Sequence, residues 1–404
     1  MDVIFIGKFF PRDLLSTIGF DSKGLIGMSN HNFEMSIIDG LCHQEDINLK
    51  CITCPGVFSY PYNNRRLFTR AERYDFRNTH IESAAFCNIV GLKELLSTLS
   101  TARILFNTIE AFSESTIHLI INTPDLGLFS AIKMVENKTT KHLTKTVIIP
   151  DIPAMITSMD KHNMFKRCIL SKINEKEMMF TSKCNGLVVL TEAMMEFIPI
   201  QVPHIVMEGL VDVTSMDKSD VEQITNKKVI MYTGTLRKIF GVQNLVKAFQ
   251  MVVDNDAELW ICGGGDSEDY IKQAAKNDSR IKFFGLVDSK TALELQHKAT
   301  ILVNPRTSEG EFTKYSFPSK TLEYLLAGKS VVANRLPGIP EEYFKYIYTP
   351  SDESVEAFAD CLSAVLRLNS QERDARAEAG RKFVIDNKNS KFQISRILDL
   401  IKTY

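Results

Sequence analysis

Several features are scarce in this sequence, and each scarcity argues against a class of protein. The 48 lysine and arginine residues nearly balance the 49 aspartate and glutamate residues, so bulk electrostatic binding to nucleic acid is not expected. No apolar run approaches the roughly 18–20 residues of a membrane-spanning helix. The first residues lack a basic segment and a small-residue cleavage site, so Val3–Ile6 is interpreted as a buried strand and not a signal peptide. We expect a cytoplasmic protein.

Cysteine is present, but its spacing does not indicate disulfide or metal chemistry. Among the eight cysteines, Cys51 and Cys54 form the one close pair, and no second pair or histidine pair completes a zinc site. Cys184 and Cys262 lie in or beside apolar segments, where a thiol packs as a small hydrophobic side chain. We predict buried, reduced thiols and no metal.

The length and the hydrophobic content of the chain predict two globular domains. At 404 residues and 44% hydrophobic content, the chain is too long for one ordinary core and apolar enough for two. In the first half, apolar runs without in–out alternation are separated by longer segments with helical spacing, which predicts a doubly wound α/β domain. The expected strands are Val3–Ile6, Ile117–Ile121, Thr146–Ile149 and Gly186–Leu190, and the expected helices include Gly91–Ile104 and Leu128–Val135.

The second half repeats this alternation and predicts a second Rossmann-like domain. A helix from about Gly241 places Val242, Leu245, Val246, Phe249 and Val253 on one apolar stripe. The expected strands are Lys228–Tyr232, Glu258–Cys262, Ile281–Phe284, Ala299–Val303 and Val331–Ala333, and further helices are expected at Ser267–Lys276, Ser289–His297 and Ser319–Ala327. Pro199 and Pro203 interrupt the pattern between the halves, so we divide the chain into domains at residues 1–202 and 203–385.

Three loops of the second half carry candidate chemistry. In the first, residues 232–241, Gly234 allows a tight turn after a strand, and Arg237 and Lys238 precede a helix. Free backbone N–H groups, the helix dipole and two mobile cations suit a diphosphate. A plain connecting loop with two solvated charges is the alternative.

The second loop is Gly263-Gly264-Gly265-Asp266, which follows another expected strand. It does not complete G-x-G-x-x-G, because Glu268 stands in place of the third glycine, and the later acidic residue of a dinucleotide site is also missing. A nicotinamide oxidoreductase is therefore not expected. The sequence is equally compatible with a turn that a ligand approaches closely and with a plain tight turn.

The third loop, residues 304–319, leaves a buried strand and leads into a helix that begins near Ser319. Lys320 and Glu323 share one face of the first helical turn. A cation at this position can hold a phosphate, and a carboxylate one turn later can accept both hydroxyls of a ribose. A surface ion pair is the alternative, but buried leucines on the other face direct both residues toward the crevice where α/β domains bind ligands.

Taken in order, these motifs resemble those of family 4 glycosyltransferases, and most of all the bacterial enzymes that build surface polysaccharides. The segments that carry the resemblance are Tyr232–Leu236 with Gly241, Cys262–Asp266, Phe283–Val287, Asn304–Arg306 and Phe317–Tyr324. The likeness is good over residues 145–404 and loose over residues 1–145. It implies the GT-B fold, in which two Rossmann-like β/α/β domains face each other across a cleft. It also implies a final helix, residues 386–404, that crosses back to the N-terminal domain.

The resemblance further implies a retaining transfer from a nucleotide-sugar donor, UDP- or GDP-linked, without metal or other cofactor. Arg237, Lys238 and Lys320 would hold the donor diphosphate and stabilise the leaving group, Glu323 would bind the ribose, and no catalytic base is named. The other implied donor-binding residues are Gly234, Thr235, Gly264, Gly265, Leu286, Val287, Tyr315 and Ser319. The acceptor, a saccharide or lipid-linked saccharide, would lie on the N-terminal domain against Gly7, Lys8 and Asp151. For Asp151, a capping or turn role is an equal alternative.

Two positions depart from the family pattern. The first glutamate of the Glu-x7-Glu motif would fall at Tyr315, with Glu309 and Glu311 as candidate replacements. Phe240 stands where many members carry a lysine, which leaves Arg237, Lys238 or Lys320 to supply the charge. These departures keep a non-catalytic partner subunit open as an alternative, and a sugar-nucleotide 2-epimerase shares the same fold.

Two stretches that mix cations with apolar residues indicate peripheral contact with a membrane surface. The first contains Arg65, Arg66, Arg70, Arg73 and Arg77 among Tyr62, Phe68, Tyr74 and Phe76. The second is Lys161–Lys183. An ordinary solvated helix explains the second stretch equally well.

Overall fold

The computed structural model describes residues 1–21, 27–60, 63, 68–152, 164–211 and 227–404. The chain forms two compact units: the first comprises Met1–Leu210 and Ser390–Tyr404, and the second comprises Val211–Asn389. Each is an α/β unit built on a mainly parallel sheet, as the sequence predicts.

In the first unit, an eight-stranded sheet has the order β10-β9-β8-β7-β1-β2-β5-β4, and β3 pairs with β6 separately. The strands are β1 (Asp2–Gly7), β2 (Asn48–Thr53), β3 (Phe68–Thr69), β4 (Arg73–Phe76), β5 (Thr79–Ser83), β6 (Phe86–Cys87), β7 (Thr116–Asn122), β8 (His142–Ile149), β9 (Gly186–Val189) and β10 (His204–Val206). Only the edge strand β4 runs antiparallel in the large sheet, beside β5. All six residues of β1 are buried, because helices cover both faces of a parallel sheet.

The helices of this unit are α1 (Arg12–Asp21), α2 (Met28–Cys42), α3 (Leu92–Ala111), α4 (Leu126–Glu136) and α5 (Met164–Thr181). Helix α4 begins at Asp125, whose carboxylate accepts a hydrogen bond from the backbone N–H of Leu128 and so satisfies a free donor of the first turn. None of the described helices is long and apolar enough to cross a membrane.

The second unit contains a six-stranded parallel sheet with the order β13-β12-β11-β14-β15-β16. Its strands are β11 (Lys228–Thr233), β12 (Ala257–Cys262), β13 (Ile281–Gly285), β14 (Ile301–Asn304), β15 (Ser330–Ala333) and β16 (Ile347–Tyr348). Its helices are α6 (Val242–Met251), α7 (Glu268–Asn277), α8 (Ser289–Lys298), α9 (Lys320–Leu326), α10 (Val355–Arg367) and α11 (Ser370–Asn387). Val253, expected on the stripe of α6, is 99% exposed, because that helix ends two residues earlier.

The last helix, α12 (Ser390–Ile401), belongs to the first unit. Ile394, Ile397 and Ile401 are fully buried in the same core as strand β1. Gly40 of α2 permits this packing, since a Cβ atom there would lie 2.6 Å from Ile394 Cγ1. The spacing of Phe392, Ile394, Ile397, Leu398 and Ile401 in the sequence predicts one apolar stripe on this helix, but Phe392 is 42% exposed.

The observed boundaries differ slightly from those expected at residues 202 and 385. The first unit extends to Leu210, because β10 pairs in parallel with β9 and completes the first sheet. The second unit extends to Asn389, where the backbone N–H of Val211 donates to Lys388 O at 2.9 Å. Backbone hydrogen bonds between residues that are distant in sequence therefore set both unit boundaries.

The packing of α12 predicts that Ile397→Ala destabilises the protein. Truncating a fully buried isoleucine should lower the free energy of unfolding by about 2–5 kcal/mol, because it removes apolar contacts and leaves a cavity. Urea unfolding followed by far-UV circular dichroism measures the change. Phe392→Ala on the same helix is the matched control and should cost much less. Equal effects of the two substitutions would contradict the assigned packing.

Candidate functional site

The carboxyl ends of β11 and β14 form the switch point of the second sheet. The chain adds β12 and β13 on one side of β11 and then returns to place β14 on the other. Ligands of open α/β sheets bind at such a point, outside the carboxyl ends of the strands. The loops that leave these two strands are in close contact, since a Cβ atom at Gly241 would lie 2.1 Å from Pro305 O.

The loop after β11 presents two cations. Thr235, Arg237 and Lys238 are all exposed. The backbone N–H of Lys238 donates to Asp266 Oδ1 at 2.8 Å, which holds the loop in place, and Arg237 Cζ lies 5.8 Å from the centroid of the Phe240 ring. Neither cationic side chain forms an ion pair within the part of the chain that the structure describes, so both charges are available to an anion.

The glycine-rich loop after β12 packs against the loop after β11. A Cβ atom at Gly263 would lie 1.8 Å from Gly234 O, and one at Gly265 would lie 2.7 Å from the backbone of Leu236. The sequence is compatible with a turn that a ligand approaches closely and with a plain tight turn. In the structure, the atoms nearest to Gly263 and Gly265 belong to the loop after β11. These glycines allow two loops of the same unit to touch.

Gly264 and Leu286 adjoin each other at the same edge of the sheet. A Cβ atom at Gly264 would lie 3.2 Å from Leu286 Cγ, and Leu286 itself is 84% exposed. Val287 instead packs partly against the core of the second unit. An exposed apolar side chain beside a bare backbone segment offers a surface for a flat ring.

Lys320 and Glu323 form an ion pair that a third residue orients. Lys320 Nζ donates to Glu323 Oε1 at 2.9 Å and to Oε2 at 2.8 Å. Gln296 Nε2, from the end of α8, donates to Glu323 Oε1 at 2.5 Å and to Thr233 Oγ1 at 3.0 Å. Gln296 is fully buried. It was not among the site residues predicted from the sequence, since a glutamine near the end of a polar helix carries no local signal of burial.

Tyr315 and Ser319 lie in the loop that connects β14 to α9. Tyr315 is only 9% exposed, and Lys314 Nζ lies 5.0 Å from the centroid of its ring. Ser319 immediately precedes α9 and is exposed, with no capping hydrogen bond from its side chain. Of the two candidate replacements for the missing glutamate, Glu309 is exposed and the side chain of Glu311 lies outside the described residues.

Arg306 is a second residue that sequence analysis missed. It follows β14 and is 8% exposed, with its guanidinium carbon 5.6 Å from the Phe240 ring centroid and 4.6 Å from that of Phe312. Both terminal nitrogens lie 3.4 Å from Ser316 Oγ. Burial lowers the pKa of Arg306, because desolvation disfavours its charged form. The motif Asn304-Pro-Arg was the available signal.

A second constellation lies at the switch point of the first sheet, between β1 and β7. Glu34 Oε2 accepts from the backbone N–H groups of Lys8 at 2.7 Å and Phe9 at 3.0 Å. Glu34 Oε1 accepts from Asn122 Nδ2 at 2.9 Å. Gly7 makes room for this carboxylate, since a Cβ atom there would lie 2.0 Å from Glu34 Oε2. Gly7 therefore serves the fold of this loop.

Lys8 is paired, in contrast to Arg237 and Lys238. Its Nζ donates to Asp125 Oδ2 at 2.5 Å, while Asp125 Oδ1 caps α4 at Leu128. Glu177 Oε1 accepts from the backbone N–H of Leu126 at 3.0 Å. The carboxylates of Asp125 and Glu177 thus accept hydrogen bonds from within the first unit. Among the described residues, no group of three potential metal ligands was found.

The remaining acceptor candidate, Asp151, is exposed beyond the carboxyl end of β8. The structure brings Gly7 and Lys8 together around Glu34, which the sequence did not indicate as a partner. Desolvation raises the pKa of Glu34 to about 7 and that of Glu177 to about 7.

The buried Glu34 predicts a specific dependence of stability on pH. Its pKa is higher in the folded state than the ordinary value near 4.5, so the folded protein binds the proton more tightly. The resulting stabilisation is complete below about pH 4.5 and is lost as the pH rises through about 7. The free energy of unfolding should therefore fall by on the order of 2 kcal/mol between pH 5 and pH 8 from this residue.

Urea unfolding of the wild type and of Glu34→Gln across this range measures the contribution. The variant cannot ionise at this position and should show the weaker pH dependence, while Glu177 keeps its own part in both proteins. Identical slopes for the two proteins would contradict the assignment.

Residues 227–367 match the family described as "Glycosyl transferases group 1". N-acetyl-alpha-D-glucosaminyl L-malate synthase from Bacillus anthracis is 29% identical over 120 residues, which are 29% of this chain and 29% of that protein. Sucrose-phosphate synthase from Thermosynechococcus elongatus has a TM-score of 0.66 and 12% identity, covering 100% of this chain and 99% of its own. HepE from Anabaena in complex with UDP has a TM-score of 0.61 and 12% identity, covering 100% of both chains.

At these identities the solved structures show the fold alone, and the curated relative is matched over less than a third of its length. The fold and the family match confirm the predicted resemblance to GT-B glycosyltransferases. The chain therefore has the GT-B glycosyltransferase fold, and its residues 227–367 match the group 1 glycosyl transferases.

Proposed function

We propose that this protein is a glycosyltransferase that moves a sugar from a nucleotide-sugar donor to a saccharide or lipid-linked saccharide acceptor. The observation that carries the proposal is the Lys320–Glu323–Gln296 network at the switch point of the second sheet. The network lies within the segment that matches the group 1 family. A partly exposed carboxylate, oriented by two donors, is ready to accept the paired hydroxyls of a ribose.

The donor fits the second unit in three parts. Glu323 would receive the ribose, Arg237 and Lys238 would meet the diphosphate, and the base would lie near Gly264 and Leu286. The UDP complex of HepE, which has a similar fold, supports a UDP-linked donor, and a GDP-linked donor remains compatible with these contacts. Lys320 would reach the diphosphate only by leaving its present contacts with Glu323.

The acceptor would bind to the first unit, near Gly7, Lys8 and Asp151. The Lys8–Asp125 pair offers both a donor and acceptors to sugar hydroxyls. In the proposed reaction the anomeric configuration is retained, no metal takes part, and the product enters surface polysaccharide assembly. Catalysis would consist mainly of stabilising the negative charge that develops on the departing diphosphate.

A panel of UDP-, GDP-, ADP- and CMP-sugars in a thermal-shift assay tests this function. A true donor should raise the melting temperature further with each tenfold increase of its concentration above the dissociation constant, because it binds only the folded state. Release of sugar from the preferred donor then separates an enzyme from a non-catalytic partner subunit, while conversion to an epimeric sugar nucleotide would indicate the 2-epimerase. If no nucleotide sugar stabilises the protein, the proposal is wrong.

Glu323→Ala should weaken binding of the preferred nucleotide by about 1.5–3 kcal/mol, the range for hydrogen bonds to a charged group. Isothermal titration calorimetry measures the loss. Asp386→Ala is a matched control, because Asp386 also pairs with a lysine of its own helix, Lys382, at 2.8 Å, and it should leave the affinity unchanged. Unchanged affinity in the Glu323 variant would rule out the ribose assignment.

We also propose that the first unit contacts a membrane surface, through α3. The first half of this helix exposes Leu92, Leu95 and Leu99, by 44–56% of their surface, while Ser97 and Thr101 take the buried face. This reverses the usual arrangement of a surface helix. Ile89 and Val90 extend the patch at the helix start, with exposures of 48% and 72%.

A cation on the same helix favours an anionic bilayer as the partner. Arg103 is exposed and lies one turn beyond Leu99, whereas the ammonium of Lys93 donates to Val57 O. The two stretches that the sequence indicated for membrane contact supply fewer unpaired cations than expected. Arg73 pairs with Glu82, and Arg77 with Asp39. Tyr62, Arg65 and Arg66 of the first stretch lie outside the described residues, as do residues 161–163 and the side chains of residues 164–167 of the second stretch.

Co-sedimentation with anionic vesicles tests this contact. Leu95→Glu should reduce vesicle binding by about tenfold or more, because a buried leucine contributes about 1.5–3 kcal/mol and the new charge opposes insertion. Val253→Glu, which replaces an apolar residue that is 99% exposed in the second unit, should bind as the wild type does. Equal binding by the wild type and Leu95→Glu would contradict the proposal.

A further inference from the structure

Arg306 is a buried positive charge that has no counter-ion among the described residues. Its side chain and backbone together are 8% exposed, and it forms no ion pair with any carboxylate in the described part of the chain. Its Nε atom is buried with no hydrogen-bond partner. The contacts to Ser316 Oγ, at 3.4 Å from each terminal nitrogen, lie at the long limit for a hydrogen bond.

Two aromatic rings provide the main contacts of this guanidinium. The ring centroids of Phe312 and Phe240 lie 4.6 Å and 5.6 Å from Arg306 Cζ. Such contacts contribute about 0.5–2 kcal/mol each. Burying an unpaired charge costs several kcal/mol. The rings therefore orient the guanidinium without neutralising it, and no carboxylate that the structure describes compensates its burial.

The backbone beneath Arg306 is firmly held. Asn334 Nδ2 donates to Arg306 O at 3.0 Å, and a Cβ atom at Gly241 would lie 3.4 Å from Arg306 N. This backbone directly follows β14, at the switch point of the sheet. A site that is fixed before its ligand arrives loses little conformational entropy on binding.

The same phenylalanine connects Arg306 to the loop after β11. Phe240 lies 5.8 Å from Arg237 Cζ and 5.6 Å from Arg306 Cζ, so one ring contacts two guanidinium groups from different loops. Neither arginine has a carboxylate partner within the described residues. Two unneutralised guanidinium groups beside one ring are complementary to a ligand that carries more than one negative charge.

We propose that Arg306, together with Arg237, binds the diphosphate of the donor. The inference rests on the proposed glycosyltransferase function and assigns to Arg306 a role in it. Arg306 supplies positive charge from the end of β14, and Phe240 holds both arginines at the switch point. The diphosphate neutralises the buried guanidinium, which no acidic residue in the described part of the chain pairs with.

Arg306→Met tests the proposal, because methionine keeps much of the apolar volume and removes the charge. Calorimetry with UDP and GDP identifies which one the wild type binds, and the corresponding nucleoside, uridine or guanosine, is the probe without phosphate. We expect Arg306→Met to bind the nucleoside diphosphate about 10- to 100-fold more weakly, following the usual strength of hydrogen bonds to charged groups. Affinity for the nucleoside should change less than twofold.

The melting temperature of the ligand-free variant provides an independent readout. Removing an unpaired buried charge should leave it unchanged or raise it. Arg280→Met is the matched control, since Arg280 also stacks on a phenylalanine, 4.9 Å from the Phe249 centroid, but pairs with Asp278 at 2.8 Å. Arg280 precedes β13 and so lies at the amino ends of the strands, whereas Arg306 follows β14 at the carboxyl ends. This control should lower the melting temperature and leave nucleotide affinity unchanged.

Three results would overturn the inference. If Arg306→Met melts at a lower temperature and binds the diphosphate as the wild type does, Arg306 has a purely structural role. An equal loss of diphosphate and nucleoside affinity would mean that the residue shapes the site without contacting phosphate. If the wild type binds neither UDP nor GDP, the proposed function fails together with this inference, whereas the first two outcomes leave that function standing.

Discussion

The burial of both faces of the two parallel sheets is the constraint on which the rest of this structure depends. Strands such as β1 and β14 are buried along their whole length, and their polar residues, Asp2 and Asn304, stand at the strand ends. Polar and charged groups can collect where the strands end and the loops begin. Both candidate sites lie there, at the points where the strand order reverses.

The two switch points differ in whether their charged side chains have partners of opposite charge. In the second unit, Arg237, Lys238 and Arg306 have no acidic partners among the described residues, so an anionic ligand would complete the site. In the first unit, Lys8 is paired with Asp125, and the nearby Glu34 accepts three hydrogen bonds. Such a balanced set of donors and acceptors suits a neutral, hydroxyl-rich molecule better than a phosphate. The division agrees with a donor on the second unit and an acceptor on the first.

Close contacts between loops hold the second site in shape. Gly263 and Gly265 bring the loop after β12 against the loop after β11, and Gly241 brings that loop against Pro305. A side chain at any of these glycines would separate the loops and move the cations that they carry. The glycines therefore position the loops that carry the charges, and the direct donor contact that the resemblance implied for Gly265 stays a prediction.

The sequence by itself determined the α/β class, four of the eight strands of the first sheet, five of the six strands of the second and the Lys320–Glu323 pair, because these depend on periodicity and on neighbours within one helical turn. The strands that it did not indicate include β4 and β5, an antiparallel edge pair whose in–out alternation differs from the buried runs. Only the tertiary structure decided that Gln296 orients Glu323, that Glu34 fills the space beside Gly7, and that Arg306 reaches Phe240. Each of these contacts joins residues that lie far apart along the chain, whereas hydrophobic periodicity reports which face of an element is buried and not which residue of another element packs against it.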